Sequence, residues 1–469
     1  MQDISDLDAL LAEQEDPSLA FARFASTTAR VSIPESVRRR AAHLILDATG
    51  IALASAKHDF AQRTLTAFAG LGERGTVPVI GMPARLSPRD AATVNGLLCH
   101  GLDFDDTHLG SIVHATASVF PAVLSTALMV GTSGRDILDA YITGMEVAAR
   151  VGAVAKGLFH EVGFHPTSVA GVFGCAVAAG MLMGLSESEL ARAQGIALSM
   201  ASGSLEFLED GAWNKRLHPG LAAAGGITAA ALARQGFVGV GRPLIGRFGL
   251  YRMMLGSHAA ACRYELATEG LGSVWAVDQT AVKPFPACHF AHGCIDAALV
   301  LHQRIDPERI VSIETLVPAG VVQSVCEPAE KKKRPQNSYD AQFSVPYLTA
   351  AALIRGQVTL SEIAPDALAD PAITALASKV RYSIDPDSTF PRAYSGEVRI
   401  VLDDGSTHTA REEVNRGAPD RPLADMEIVE KYRRNARTAI SQERSDRIEK
   451  AILSVNDGDS KDFASILSW

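Results

Sequence analysis

Cysteine is sparse in this chain: six residues, Cys99, Cys175, Cys262, Cys288, Cys294 and Cys326, spread over 469 positions. That spacing makes no disulfide framework and fits a reducing, cytoplasmic setting. No CxxC pair and no HExxH helix pair occurs, so neither a structural zinc site nor a zincin site is written in the chain. Basic residues are in deficit, with a net charge of −9 and a pI near 5.8, which argues against a nucleic-acid partner. The opening residues MQDISDLDALLAEQEDPSLA are acidic and lack the basic and apolar regions of a secretory signal. Internal repeats and low-complexity tracts are absent. One uncharged run, Pro166 to Leu185, reaches membrane-span length. It stands alone, and its Gly and Ala content reads as a buried helix in close contact with others, so no membrane partner is expected.

What the chain has is apolar bulk. Hydrophobic residues make up 47% and mean hydropathy is +0.11, so a large core can be buried and disorder is excluded as the main state. The length predicts two domains. Helical spacing covers Leu19 to Leu53, a helix capped by Ser87, Ile137 to Leu158, the uncharged run, and a helix opened by the capping box Ser186-Glu-Ser-Glu189. A loop from Trp213 to Pro219 is expected next, then an Ala-rich helix from Leu221 to Arg234. Near Gly270 the pattern changes. Val311–Val317 and Gly396–Leu402 alternate as half-buried strands, and Asp403-Asp-Gly405 supplies a hairpin turn. From Asp425 the pattern is helical again to the end. The expected fold is mainly α: a large all-helical domain formed by both ends of the chain (1–268 and 425–469), with a smaller α+β lid domain, 269–424, inserted.

Chemistry concentrates in one stretch, His100 to Pro121, HGLDFDDTHLGSIVHATASVFP. Three carboxylates (Asp103, Asp105, Asp106) and three imidazoles (His100, His108, His114) lie there between apolar segments. Burying them is costly unless they are paired or touch a ligand. The alternative is a solvated loop whose acids face a helix N-terminus. Asp103-Phe-Asp105-Asp106-Thr107 matches a DxDxT phosphatase nucleophile formally, but it sits between helices, and the later acids Asp459 and Asp462 fall in a helical tail. Imidazole and carboxylate could also ligate a divalent metal, as could Cys288-His289-Phe-Ala-His292-Gly-Cys294, without a recognised ligand spacing. Gly70-Leu-Gly72-Glu-Arg-Gly75 matches GxGxxG in the wrong order of elements. Lys331-Lys-Lys-Arg334 reads as a solvated run or an anion-attracting rim. Polar breaks at 100–114, 164–168 and 213–219 each carry histidine, and together they could bind a small polyanion and move a proton.

Five blocks, HGLDFDDTH with a following His, GFHPTSVAGVFG, NKRLHPG, KPFPACHFAHGCIDAAL and AQFSVPYLTAAAL, resemble the MmgE/PrpD family in order and over nearly the whole chain. That family includes 2-methylcitrate dehydratase, cis-aconitate decarboxylase and iminodisuccinate epimerase. The resemblance implies a homodimeric, metal-independent enzyme without cofactor that acts on a small polycarboxylate. It implicates Asp103, Thr107, His114, His165 and Lys215 in catalysis, and the loop after Pro286, with His218, Cys288, His289 and His292, in substrate binding. In the expected roles, Lys215 and His218 hold carboxylates, His165 or His114 moves the proton, and Asp103 orients an imidazole. Cys288 departs from the decarboxylase branch, which carries a histidine there; the shared chemistry, proton transfer beside a carboxylate, is unaffected. The expected activity is a lyase, by 2-methylcitrate-type dehydration or cis-aconitate-type decarboxylation. An epimerase or other isomerase is the first alternative, and a non-catalytic carboxylate-binding protein the second.

Overall fold

A computed structural model describes residues 11, 13–28, 33–458 and 467. Most of the acidic opening segment, the ending beyond 458 expected to be helical (467 apart), and the acids Asp459 and Asp462 lie outside the described residues. The chain is mainly helical and divides into two compact units. One comprises Met1–Gly101, Asp105–Thr280 and Ala424–Trp469; the other comprises Leu102–Phe104 and Ala281–Leu423.

Among the helices of the first unit are α1 (Glu35–Ser55), α2 (Pro88–His100), α3 (Ala115–Val130), α4 (Gly134–Val154), α5 (Pro166–Leu182) and α6 (Asn214–Arg234). The uncharged α5 packs against α4, α6 and α3, and α2 packs against α6 and α3. Small residues set these approaches. A Cβ added at Gly174 would lie 2.4 Å from the Gly144 carbonyl oxygen, and one at Gly220 would lie 2.1 Å from that of Thr93. The apolar run of α5 is therefore a helix buried on every side, and no described helix is long and apolar enough to cross a membrane. The later helix Asp425–Ala436 packs on α1, where Lys431 Nζ meets the Asp47 carboxylate at 2.8 Å, both buried.

Ser87 caps α2, Ser133 caps α4, and Ser186 with Glu189 forms the expected capping box. The helical stretch expected over Leu19 to Leu53 is instead divided: a short helix Pro17–Arg23 runs into a π-turn at Phe24–Thr28, and α1 starts after Pro34. Trp213 to Pro219 needs correction. It is not a loop but the first turns of α6, with Trp213 as N-cap and Pro219 inside the helix. Pro219 removes the N–H that would bond the Lys215 carbonyl, yet Gly220 beyond it lets α6 press onto the α2 backbone.

The second unit holds a four-stranded mixed sheet, β1 (Ile310–Val317), β2 (Val380–Ile384), β3 (Gly396–Leu402) and β4 (Thr407–Glu412), in the order β2-β1-β3-β4. β1 pairs parallel with β2 and antiparallel with β3; β3 and β4 form the expected hairpin, with Gly405 at φ 81° in its turn. Helices α7 (His292–His302) and α8 (Val345–Arg355) pack together, and α7 lies on β3 and β4. β2 escaped the sequence reading because its residues VRYSI are mostly half-exposed at the sheet edge and show no apolar alternation.

Candidate active site

In the first unit, four helix ends converge. His100 closes α2, His114 is the N-cap of α3, His165 is the N-cap of α5, and Lys215 and His218 lie in the first turns of α6. Pro166 at the first position of α5 suits that start, since its missing N–H would be unsatisfied there anyway. All five side chains are buried, Lys215 only 6% exposed and His165 3%. Ring centroids of His100 lie 4.9 Å from His114 and 5.5 Å from His165, and those of His165 and His218 are 5.2 Å apart. The solvated-loop alternative for this stretch is excluded, because Asp103, Asp105, Asp106 and Thr107 are buried as well.

Each imidazole is oriented through Nδ1. His100 Nδ1 donates to Asp105 Oδ2 at 2.7 Å, with both side chains fully buried. His114 Nδ1 lies 2.7 Å from the Asp106 carbonyl oxygen. A carbonyl only accepts, so Nδ1 carries the proton and Nε2 the lone pair. The Thr107 hydroxyl sits 3.2 Å from the same nitrogen, and the Thr167 hydroxyl accepts from the His114 backbone N–H at 3.0 Å. His165 Nδ1 and His218 Nδ1 are 3.1 Å apart, a distance that requires one proton between them. The Nε2 atoms of His100 and His165 are buried without a hydrogen-bond partner.

Electrostatics hold His165 and His218 in their neutral forms. Burial, then His218, His100, Lys215 and His114, push His165 well below the ordinary histidine range. Burial, then His100 and Lys215, lower His218 to about 4. The Asp106 carboxyl moves the other way: burial first, then Asp105 and Asp47, raise it to about 7 against the opposing Thr116 hydrogen bond. Its oxygens accept from the backbone N–H and hydroxyl of Thr116, in the first turn of α3. It thus does face a helix N-terminus, but without solvent.

The Asp106 shift has a measurable sign. From the ordinary aspartate value of 3.8 up to about 7, the folded chain keeps a proton that the unfolded chain has lost. Stability contributed by this group therefore falls as pH rises through that window. Asp106→Asn abolishes the titration. Its melting temperature relative to the parent should improve between about pH 5 and about pH 8; a difference independent of pH would show Asp106 ionised throughout.

The second unit holds the other sequence-derived candidates. Asp103, at φ 50°, accepts from Lys283 Nζ at 3.0 Å through its carboxylate and at 2.9 Å through its backbone carbonyl, both residues being buried. The expectation that Asp103 orients an imidazole is corrected on this point: the carboxylate paired with an imidazole is that of Asp105, and Asp103 is paired with an ammonium. Cys288 donates its backbone N–H to the Gln342 carbonyl at 2.8 Å. His289 Nε2 accepts from the Asn415 side-chain amide at 2.7 Å, and His292 Nε2 donates to the Ala287 carbonyl at 3.2 Å. The two rings are 4.6 Å apart.

Two family models match this chain, the MmgE/PrpD N-terminal domain over residues 19–263 and the MmgE/PrpD C-terminal domain over 285–457. The chain belongs to the MmgE/PrpD family. Among its relatives, the cis-aconitate decarboxylase-like protein oryM of Aspergillus oryzae is 30% identical over 442 residues, 90% of this chain and 91% of that protein. The cis-aconitate decarboxylase of Aspergillus terreus is 29% identical over 453 residues, 92% of each chain. That of Mus musculus is 29% identical over 454 residues, 93% of this chain and 89% of the mouse protein.

Within this MmgE/PrpD chain, the structure gathers Thr107, His114, His165, Lys215 and His218 in one cluster and adds two residues the sequence reading left out of its site, His100 and Asp105. Their signal was present in the dense stretch, but a five-residue separation does not specify a pairing. Lys283 was also missed, although it opens the KPFPACH block: a lysine fully buried beside a carboxylate is a contact that spacing cannot show.

Proposed function

We propose that this protein is a lyase for a small di- or tricarboxylate, working by imidazole acid–base chemistry with neither metal nor organic cofactor. The observation that carries this reading is the cluster of four buried imidazoles beside one lysine, each ring oriented through Nδ1. The relatives' names point to a cis-aconitate-type acid. Lys215 supplies the positive charge for a substrate carboxylate, and His218, joined to His165, holds that ring in place. In decarboxylation, the C–CO₂⁻ bond breaks and its electron pair passes to the carbon framework, stabilised by a neighbouring carboxylate. A proton from an imidazolium then quenches the carbanion, and the imidazole is reloaded from water. In the dehydration variant, one imidazole takes a carbon-bound proton and a second delivers a proton to the departing hydroxide. Asp105 holds the His100 ring in its orientation in either case.

Proton transfer alone would also serve an epimerase, so the test separates the outcomes by product. The protein is incubated in D₂O with cis-aconitate, 2-methylcitrate, citrate and iminodisuccinate and followed by proton NMR, with His165→Ala and Lys215→Ala as controls. Loss of CO₂ or water from one acid, absent from both variants, is the expected result. Deuterium uptake without either loss would move the assignment to an epimerase. No reaction with any acid would favour a carboxylate-binding protein.

A further inference from the structure

We propose that His100, His114 and His165 form a binding site for a transition-metal ion of the Zn²⁺ class, and that the bound ion switches the proton chemistry off. One ring nitrogen from each of the three lies within 4.8 Å of the others, the group of such residues found among the described part of the chain. A tetrahedral zinc with Zn–N bonds of about 2.1 Å brings its nitrogens to about 3.4 Å from one another. The rings are thus within a small side-chain rotation of closing on an ion.

The outer contacts are those that ligating histidines require. Such rings donate their second N–H to a carboxylate, a carbonyl or another acceptor, which fixes the tautomer and aims the lone pair. Here His100 donates to Asp105, His114 to the Asp106 carbonyl, and His165 shares its Nδ1 proton with His218. The remaining nitrogens of His100 and His165 are buried and make no hydrogen bond. Leaving such groups unsatisfied is costly, and one ion would satisfy both together with His114. Asp105, 3.9 Å from His114 Nδ1 and bonded to His100, supplies the compensating negative charge. Lys215 opposes it with a positive one, so an all-imidazole site here selects ions that bind nitrogen strongly, Zn²⁺, Co²⁺, Ni²⁺ or Cu²⁺, over Mg²⁺ and Ca²⁺.

Coordination and catalysis exclude each other, because the lone pairs that would bind the ion are those that would carry the proton. The inhibitory half of this proposal rests on the function proposed above; the binding half does not. Chelator-treated full-length protein is titrated with Co²⁺ and followed by its visible d–d absorption. We expect one ion per chain, a band of tetrahedral intensity, and displacement by Zn²⁺. His100→Ala and His165→Ala should abolish the band while circular dichroism shows the fold retained. Asp105→Asn should weaken binding by about 10- to 100-fold through the outer contact alone. His258→Ala, at an exposed histidine, should leave it unchanged. No band in the parent, or a band that survives unchanged in the His100→Ala and His165→Ala variants, overturns the site. With the acid that the NMR panel identifies, Zn²⁺ should inhibit at one equivalent and chelator should restore the rate. A chelator that abolishes activity, or a band with no effect of Zn²⁺ on rate, overturns the switch. If no acid in the panel reacts, the lyase reading fails while the cobalt band still decides the site.

Discussion

His165→Ala is expected to lower kcat by about 10²- to 10⁴-fold, the range for removing a positioned general acid or base, with little change in melting temperature. His165 is the centre of the cluster: its ring lies beside those of His100, His114 and His218 and is bonded to the last. An ordinary histidine base would give an acid limb near 6.5. Burial changes that. With His165 held well below this range and His218 lowered to about 4, both rings are unprotonated through neutral pH, the active form for the base of the dehydration variant. For a base-initiated reaction the acid limb of kcat/KM, which reports the free enzyme, should therefore fall well below pH 6.5. The limb of kcat belongs to the complex. A bound polycarboxylate places negative charge beside the rings, which raises their pKa, so this limb should lie at higher pH. His165→Ala should remove or displace the limb. A limb in kcat/KM near the ordinary histidine value, unaffected by the substitution, would assign the base elsewhere.

How much of this was legible in the chain differs by level. Helices announced themselves through caps and apolar spacing, and Ser87 and Ser186 bond where a capping residue should. The stretch from His100 was legible as a site because so many ionisable groups between apolar runs demand partners. Which partner each would take was not legible. Asp103 and Asp105 are two residues apart, yet one is paired with Lys283, 180 positions away, and the other with His100, five positions away. Backbone conformation decides this: Asp103 adopts a positive φ of 50°, which turns the chain between the two acids. Pro219 misled in the opposite direction, because it reads as a break although α6 continues through it.

The same helix carries the second large effect. Gly220→Ala is expected to destabilise the protein markedly and to reduce activity with it. The added Cβ would lie 2.1 Å from the Thr93 carbonyl oxygen and 2.9 Å from Thr93 Cα. Both are backbone atoms, so no rotamer change relieves the clash and α2 and α6 must move apart. Overpacking of this kind costs about 1–3 kcal/mol, and more where the obstacle is rigid. These two helices carry opposite sides of the cluster, since α2 ends at His100 and α6 begins beside Lys215 and His218. Separating them therefore also pulls the imidazoles apart, and kcat should fall even in the fraction that remains folded. Gly96→Ala probes the facing position, where the new Cβ would meet Gly220 Cα at 2.6 Å, and should have the same direction of effect. Gly70→Ala is the control: its Cβ meets nothing within 4 Å in an exposed helix. Alanine there should stabilise by up to about 1 kcal/mol through helix propensity. Thermal melting and steady-state rates on the three variants decide the matter. Unchanged melting in Gly220→Ala would mean that α2 and α6 are not in backbone contact, and the convergence of His100 with Lys215 and His218 would lose its structural basis.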